Sequence, residues 1–214
     1  MANPGIEELR DSGKYELFGQ LNHTEIKEFV IEQLTGNGKL VRFFMYYQLV
    51  MIIIGIFFFT RSIVKAFQDV YPPLFYSLAA LVFCFSILII IHELLHAIAL
   101  LFTGTRKISF GGYLRKFIFY AEADRHVLNR KQFAFVALTP FIAVKVITLT
   151  GLILFLNEPA FYFFIFVMSA HSLFCAGDIG LLSLFFSEKD LELYTFDVKE
   201  EKTSYYYRRI VNKN

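Results

Sequence analysis

The chain has 214 residues, of which 56% are hydrophobic and 18% aromatic, whereas charged residues contribute only 19%. This composition argues against a soluble globular protein and predicts a membrane protein with several spans. The formal net charge is only +2, and the basic residues flank apolar runs, so we expect no nucleic-acid partner.

The distribution of polar residues divides the chain into three segments. We expect a cytoplasmic N-terminal segment at 1–42, a transmembrane domain at 43–186 and a cytoplasmic charged tail at 187–214. Residues 1–21 lack a clear periodicity and are expected to be loosely ordered. An amphipathic helix is predicted to begin after Asn22, because a suitable N-cap residue there precedes an apolar stripe.

Four apolar runs are long enough to cross a bilayer, and they cover residues 43–60, 74–102, 133–156 and 161–186. The second run is longer than the hydrocarbon core is thick, so a helix there would tilt or protrude. Pro140 lies inside the third run and is expected to bend the helix or to open a gap in its backbone hydrogen bonding.

The lysine and arginine counts predict how the chain is oriented in the membrane. The N-terminal segment carries five of these residues, the first connection two, the second connection seven, the third none and the tail six. With four spans, the rich segments all fall on one side of the membrane. We therefore expect both termini, the second connection and the nearby half of the second span to face the cytoplasm.

The second connection is too polar to span the membrane and too aromatic for an ordinary solvated loop. Gly111 and Gly112 form a hairpin-turn signal, and strand-like stretches surround them at 108–110, 113–114 and 117–121. A small β-hairpin or sheet fits this pattern, and an interfacial loop with aromatic anchors is the alternative. An exposed strand edge there could pair with an extended peptide. The predicted fold is an all-α polytopic membrane protein of about four transmembrane helices, with this hairpin between the second and third.

Three ionisable residues, His92, Glu93 and His96, lie within five positions of the second apolar run. On a helix, His92 and His96 share one face, where two imidazoles can bind one metal ion, most often zinc. Glu93 would lie beside the first ligand and could act as general base on a metal-bound water. The alternative is two structural histidines and a buried acid, which leaves a carboxylate in hydrocarbon without a partner.

A catalytic zinc usually has three protein ligands and one open position, so we expect a third ligand. The candidates are Asp178, His171 and His126. A metal cation could neutralise Asp178 deep in the fourth run, and an ion pair with Lys145 is the alternative. His171 would share a face with Asp178 and could orient substrate, stabilise an oxyanion, support another ligand or simply pack. His126 lies in a polar connection, where we expect it to be solvated.

The motifs together resemble a known group of enzymes. His-Glu-Leu-Leu-His at 92–96, Leu-Thr-Pro at 138–140 and Gly-Asp-Ile at 177–179 resemble the site-2-protease-like intramembrane metalloproteases. The sequence looks closest to the small bacterial zincin peptidases of the DUF3267 type, over about residues 85–185. It departs from site-2 proteases around the last ligand, where those usually have Asn-Pro-Asp-Gly or Leu-Asp-Gly.

The resemblance implies a zinc-dependent intramembrane endopeptidase that acts on a membrane protein or peptide in the lipid bilayer. The zinc ligands would be His92, His96 and Asp178, with Glu93 as general base and His171 as a second candidate catalytic residue. One alternative is a non-catalytic membrane protein with a structural metal site, such as an immunity or partner-binding subunit. Another is a redox or transport protein with His96 and His171 as haem or ion ligands. The sequence leaves the oligomeric state open.

Overall fold

A computed structural model gives the fold and describes residues 3–36, 38–113, 118–187 and 192–210. The helices in chain order are α1 (Ile6–Asp11), α2 (Ile26–Thr35), α3 (Lys39–Ala66), α4 (Pro72–Cys84), α5 (Ile87–Phe102), α6 (Arg130–Leu154), α7 (Phe161–Phe174) and α8 (Ala176–Ser187). A 3₁₀ turn, His23–Glu25, leads into α2. The strands are β1 (Tyr15–Asn22), β2 (Ile108–Tyr113), β3 (Ile118–Ala123), β4 (Leu128–Asn129), β5 (Leu193–Val198) and β6 (Thr203–Arg209).

The apolar helices agree with a multi-pass membrane protein. Helices α3 and α6 are each long and apolar enough to cross a membrane. The pairs α4–α5 and α7–α8 each pass the same test when taken together, so the described residues contain two to four spans by length and composition. Large apolar side chains such as Phe43 and Ile56 on α3 are more than half exposed, as expected for side chains that contact lipid.

The second and fourth predicted spans are each broken rather than continuous. Helices α4 and α5 meet at 49°, and α7 and α8 meet at 46°. At the first break the backbone of Ser86 leaves the helical region, with φ −133° and ψ −87°, while its hydroxyl donates to the Val82 carbonyl at 2.6 Å. Such a side-chain bond competes with the regular helix ladder. Each break begins a short helix, and these two helices, α5 and α8, carry the candidate site.

A four-stranded antiparallel sheet, in the order β1-β6-β5-β4, corrects the prediction of an all-α fold. The N-terminal residues expected to be loosely ordered form α1 and β1, and the predicted charged tail supplies β5 and β6. Leu9, Phe196 and Tyr207 form part of the core beneath this sheet, so the aromatic residues of the tail provide its apolar face. Residues 188–191 and 211–214 of the predicted tail lie outside the described residues.

The predicted β-hairpin is present, but Gly111 and Gly112 do not form its turn. Strands β2 and β3 pair antiparallel, with Gly111 opposite Tyr120 and Gly112 opposite Phe119. A Cβ atom at Gly111 would collide with the Tyr120 ring, so glycine at this position allows the close packing of that ring. The connection at 114–117 lies outside the described residues.

A buried polar cluster joins the hairpin to the four-stranded sheet. His23 is only 3% exposed, and its Nδ1 lies 3.7 Å from Oε2 of Glu122 on β3. Its Nε2 lies 3.1 Å from the hydroxyl of Ser204 on β6, which donates to Asp197 at 2.5 Å. Because the Ser204 hydrogen is used on Asp197, its oxygen accepts the bond from His23. These contacts hold β3 in place beside the candidate site.

Candidate metal centre

Helix α5 presents His92 and His96 on one face, as their spacing predicts. The two imidazoles are only 6% and 8% exposed, and their Nε2 atoms lie 3.2 Å apart. This separation suits two nitrogens that bind one metal ion, because each Zn–N bond is about 2.0–2.1 Å long.

Asp178 lies opposite the two histidines, in the first turn of α8. Its carboxylate oxygens lie 3.2 Å from Nε2 of His92 and 3.1 Å from Nε2 of His96. One ligand atom from each of the three residues lies within 4.8 Å of the other two. The structure therefore brings together the three residues that the sequence singled out. They come from α5 and α8, which are separated along the chain by the hairpin, α6 and α7.

Hydrogen bonds behind the imidazole rings decide which nitrogens face Asp178. Nδ1 of His96 lies 3.0 Å from the backbone oxygen of Val136. A carbonyl oxygen only accepts, so this nitrogen carries the hydrogen and Nε2 of neutral His96 presents a lone pair to Asp178. Nε2 of neutral His96 and the Asp178 carboxylate thus direct electron pairs at one another, which costs free energy unless a proton or a metal cation lies between them. Two imidazoles and one carboxylate suit zinc, so the residues present fit the metal.

His171 lies behind His92, and its side chain is fully buried. Its Nε2 is 3.0 Å from Nδ1 of His92, and its Nδ1 is 3.6 Å from the sulfur of Cys175. This position fits a residue that orients His92, since metal-binding histidines usually donate their second N–H to such a partner. His171 is not among the residues that line the cavity, and its predicted contact with substrate or an oxyanion stays a prediction. With His92 and Cys175 it forms a second group of side chains close enough to hold a metal ion.

Glu93 reaches the cavity beside the three converging residues. The backbone N–H of Ala121 on β3 donates to its carboxylate. Among the described residues, its buried Oε2 atom has no hydrogen-bond partner. Glu93 therefore has one oxygen held by the backbone and one without a partner, which leaves capacity to accept a proton.

The comparisons with known proteins agree with this geometry. A family model described as "Putative zincin peptidase" (DUF3267) matches residues 85–190, which include Glu93 and the three converging residues. The chain belongs to this family. A search of curated proteins and a search of solved structures each found no match. The family is one of metallopeptidases, and zinc is the metal that it implies.

The other sequence candidates lie in different surroundings. Lys145 does not form the alternative ion pair with Asp178, because its Nζ donates to the Met168 carbonyl at 2.6 Å. His126 belongs to neither metal-binding group found among the described residues. Its Nε2 lies 3.0 Å from the Thr103 hydroxyl, and partial burial lowers the pKa of His126 below its ordinary value.

A cavity of about 500 Å³ opens beside His92, Glu93 and His96. Its walls are mostly apolar and come from five helices and the hairpin. The residues of α2 in this wall are Ile26, Lys27, Val30 and Ile31. Helix α2 lies outside the region matched by the family model. Its apolar stripe predicted an amphipathic helix but no part in the site. The role of this helix in closing the cavity was missed, since periodicity shows a buried face but not what that face contacts.

Gly180 allows α2 to approach α8 closely, and we expect Gly180→Ala to destabilise the protein. A Cβ atom at Gly180 would lie 3.0 Å from Cγ1 and 3.4 Å from Cα of Val30. Overpacking of this kind typically costs about 1–3 kcal/mol, so thermal unfolding should shift to lower temperature. Gly177→Ala is the matched control, because nothing lies within 4 Å of its added Cβ. Equal melting temperatures for the two variants would contradict the close contact.

Proposed function

We propose that the protein is a zinc-dependent intramembrane endopeptidase that hydrolyses peptide bonds of membrane-associated proteins. The observation that carries this proposal is the convergence of His92, His96 and Asp178 beside a cavity that Glu93 also lines. Membership of the zincin family supports the peptidase chemistry. The apolar surroundings of the two short helices support a reaction within the membrane.

The residues around the cavity have distinct roles in this mechanism. His92, His96 and Asp178 would hold zinc, which would supply Lewis-acid activation of the scissile carbonyl and of water. Glu93 would accept the proton of the attacking water and pass it to the departing amine as the C–N bond breaks. The N–H of Ala121 keeps the Glu93 carboxylate in position during both transfers. Asp178, with a side chain 17% exposed, lines the cavity together with His92 and His96, which supports access of substrate and water to this group.

The cavity also indicates how a substrate could be held. Phe119, Tyr120 and Ala121 of β3 lie in its wall. An extended peptide in the cavity could lie against this strand while its apolar side chains contact the helices. The lysine and arginine distribution supports a cytoplasmic position for the termini and for the site, which would supply water to the reaction.

Removal of zinc is the direct test of this function. The full chain in lipid nanodiscs should contain an equimolar amount of zinc and should cleave members of a set of synthetic apolar transmembrane peptides, followed by mass spectrometry. Chelation should abolish cleavage, and added zinc should restore it. Cleavage by the metal-free protein would contradict the proposal. Bound zinc without cleavage of any peptide would favour a structural metal site instead.

A further inference from the structure

Pro140 lies inside α6, where its side chain is fully buried and the helix continues on both sides. An interior proline is unfavourable in a helix, because it has no N–H to donate. In a regular α-helix, the N–H of residue 140 would donate to the carbonyl of residue 136. The missing donor therefore leaves the carbonyl of Val136 without its usual partner.

The carbonyl of Val136 is the group that binds the second ring nitrogen of His96. Nδ1 of His96 donates to this oxygen at 3.0 Å, and both residues are only 8% exposed. The bond fixes the tautomer that directs Nε2 of His96 toward Asp178. The neighbouring carbonyl of Phe135 has a partner within α6 itself, since the hydroxyl of Thr139 donates to it at 2.7 Å.

We propose that Pro140 is a positioning residue for the metal centre: by withholding an N–H, it leaves the Val136 carbonyl free to orient His96. This inference rests on the proposed zinc site. The two histidines are then oriented in different ways, because His92 has the side chain of His171 as its partner whereas His96 has a backbone oxygen. The residue at position 140 decides whether a backbone N–H of the helix donates to the Val136 carbonyl oxygen.

The test is to restore the N–H with two substitutions of opposite helix propensity. Pro140→Ala and Pro140→Gly both supply a donor to Val136, but alanine favours a helix and glycine does not. The N–H would compete with His96, so the zinc dissociation constant should rise about 10- to 100-fold in both variants, the range seen when a partner of a metal-binding histidine is lost. It is measured on the full chain in nanodiscs by competition with a chelator of known affinity.

Thermal unfolding of the metal-free protein separates this role from a purely structural one. Pro140→Ala should unfold at a higher temperature than the native chain although it binds zinc more weakly. Thr150→Ala on the same helix is the control, because its exposed hydroxyl donates to the Val146 carbonyl and Thr150 does not line the cavity. It should leave zinc affinity unchanged.

The possible results distinguish the two proposals. Weaker zinc binding in both Pro140 variants, with a normal Thr150→Ala, supports the role of Pro140. Unchanged zinc affinity in either folded variant overturns it, because both restore the same N–H. A native chain that binds no zinc would instead refute the proposed function. If Pro140→Ala fails to fold, Pro140→Gly and the visible spectrum of its cobalt-substituted form provide the same comparison.

Discussion

Replacement of Glu93 by glutamine is expected to abolish peptide cleavage while zinc remains bound. Glutamine has nearly the same shape and retains an oxygen that can accept the bond from Ala121. It cannot take a proton from water, so the general-base contribution is lost. Such contributions are typically worth about 10²- to 10⁴-fold in rate. The measurement is the rate of cleavage of an apolar transmembrane peptide together with the zinc content of the purified variant.

Two further observations make this experiment specific for Glu93. Glu158→Gln removes a carboxylate from the connection between α6 and α7 and should cleave at the native rate. The zinc content of Glu93→Gln should equal that of the native chain, because Glu93 is not among the converging residues. Native cleavage by Glu93→Gln would rule out the mechanism, and loss of zinc would mean that Glu93 helps to bind the metal.

The residues of the candidate metal centre could be singled out from the sequence because their chemistry is unusual for their surroundings. His92 and His96 have helical spacing, and Asp178 is a carboxylate inside an apolar run. Ionisable groups are costly there, so each one needs a partner. The sequence could not decide between zinc ligation and an ion pair with Lys145. That choice depended on how two broken helices pack, which the geometry around Asp178 now shows.

The sheet was missed for a different physical reason. Strands β5 and β6 contain buried aromatic residues but lie in a segment with many charged residues, so this segment resembles a solvated tail. The pairing of β6 with β1 joins residues almost two hundred positions apart, for example Glu16 with Arg208. Local propensity carries little information about contacts at such separations, and burial on one face is decided by tertiary packing.

Backbone groups account for most of what remained hidden at the site. The carbonyl of Val136 and the N–H of Ala121 are backbone groups of residues whose side chains are purely apolar. No sequence motif therefore marks these two residues. Pro140 was the one available signal, because a proline in a helix predicts a free carbonyl four residues earlier. The position of the free carbonyl could thus be predicted from the sequence. The hydrogen bond that His96 donates to it could not be predicted.

Replacement of Asp178 by asparagine should remove zinc from the purified protein. The carboxylate supplies the only negative charge among the three converging residues, and asparagine is neutral and a poorer ligand. The loss of affinity should exceed the about 10- to 100-fold change that follows removal of an outer hydrogen-bond partner. Zinc at about 100 times its dissociation constant should stabilise the native chain by about 2.7 kcal/mol. The same zinc concentration should not raise the unfolding temperature of Asp178→Asn.

The response to zinc decides between the two roles that Asp178 could have. Asp178→Asn should destabilise the metal-free protein in either role, since a buried carboxylate beside two imidazoles loses its charge. If Asp178 were only the partner of a protonated histidine, added zinc would still stabilise the variant, whereas this stabilisation should be lost if Asp178 is a zinc ligand. Asp124→Asn is the control for charge removal, because that carboxylate accepts the backbone N–H of Lys199 and is not among the converging residues. Zinc should stabilise this control as it does the native chain, and an equal response in Asp178→Asn would exclude Asp178 as a ligand.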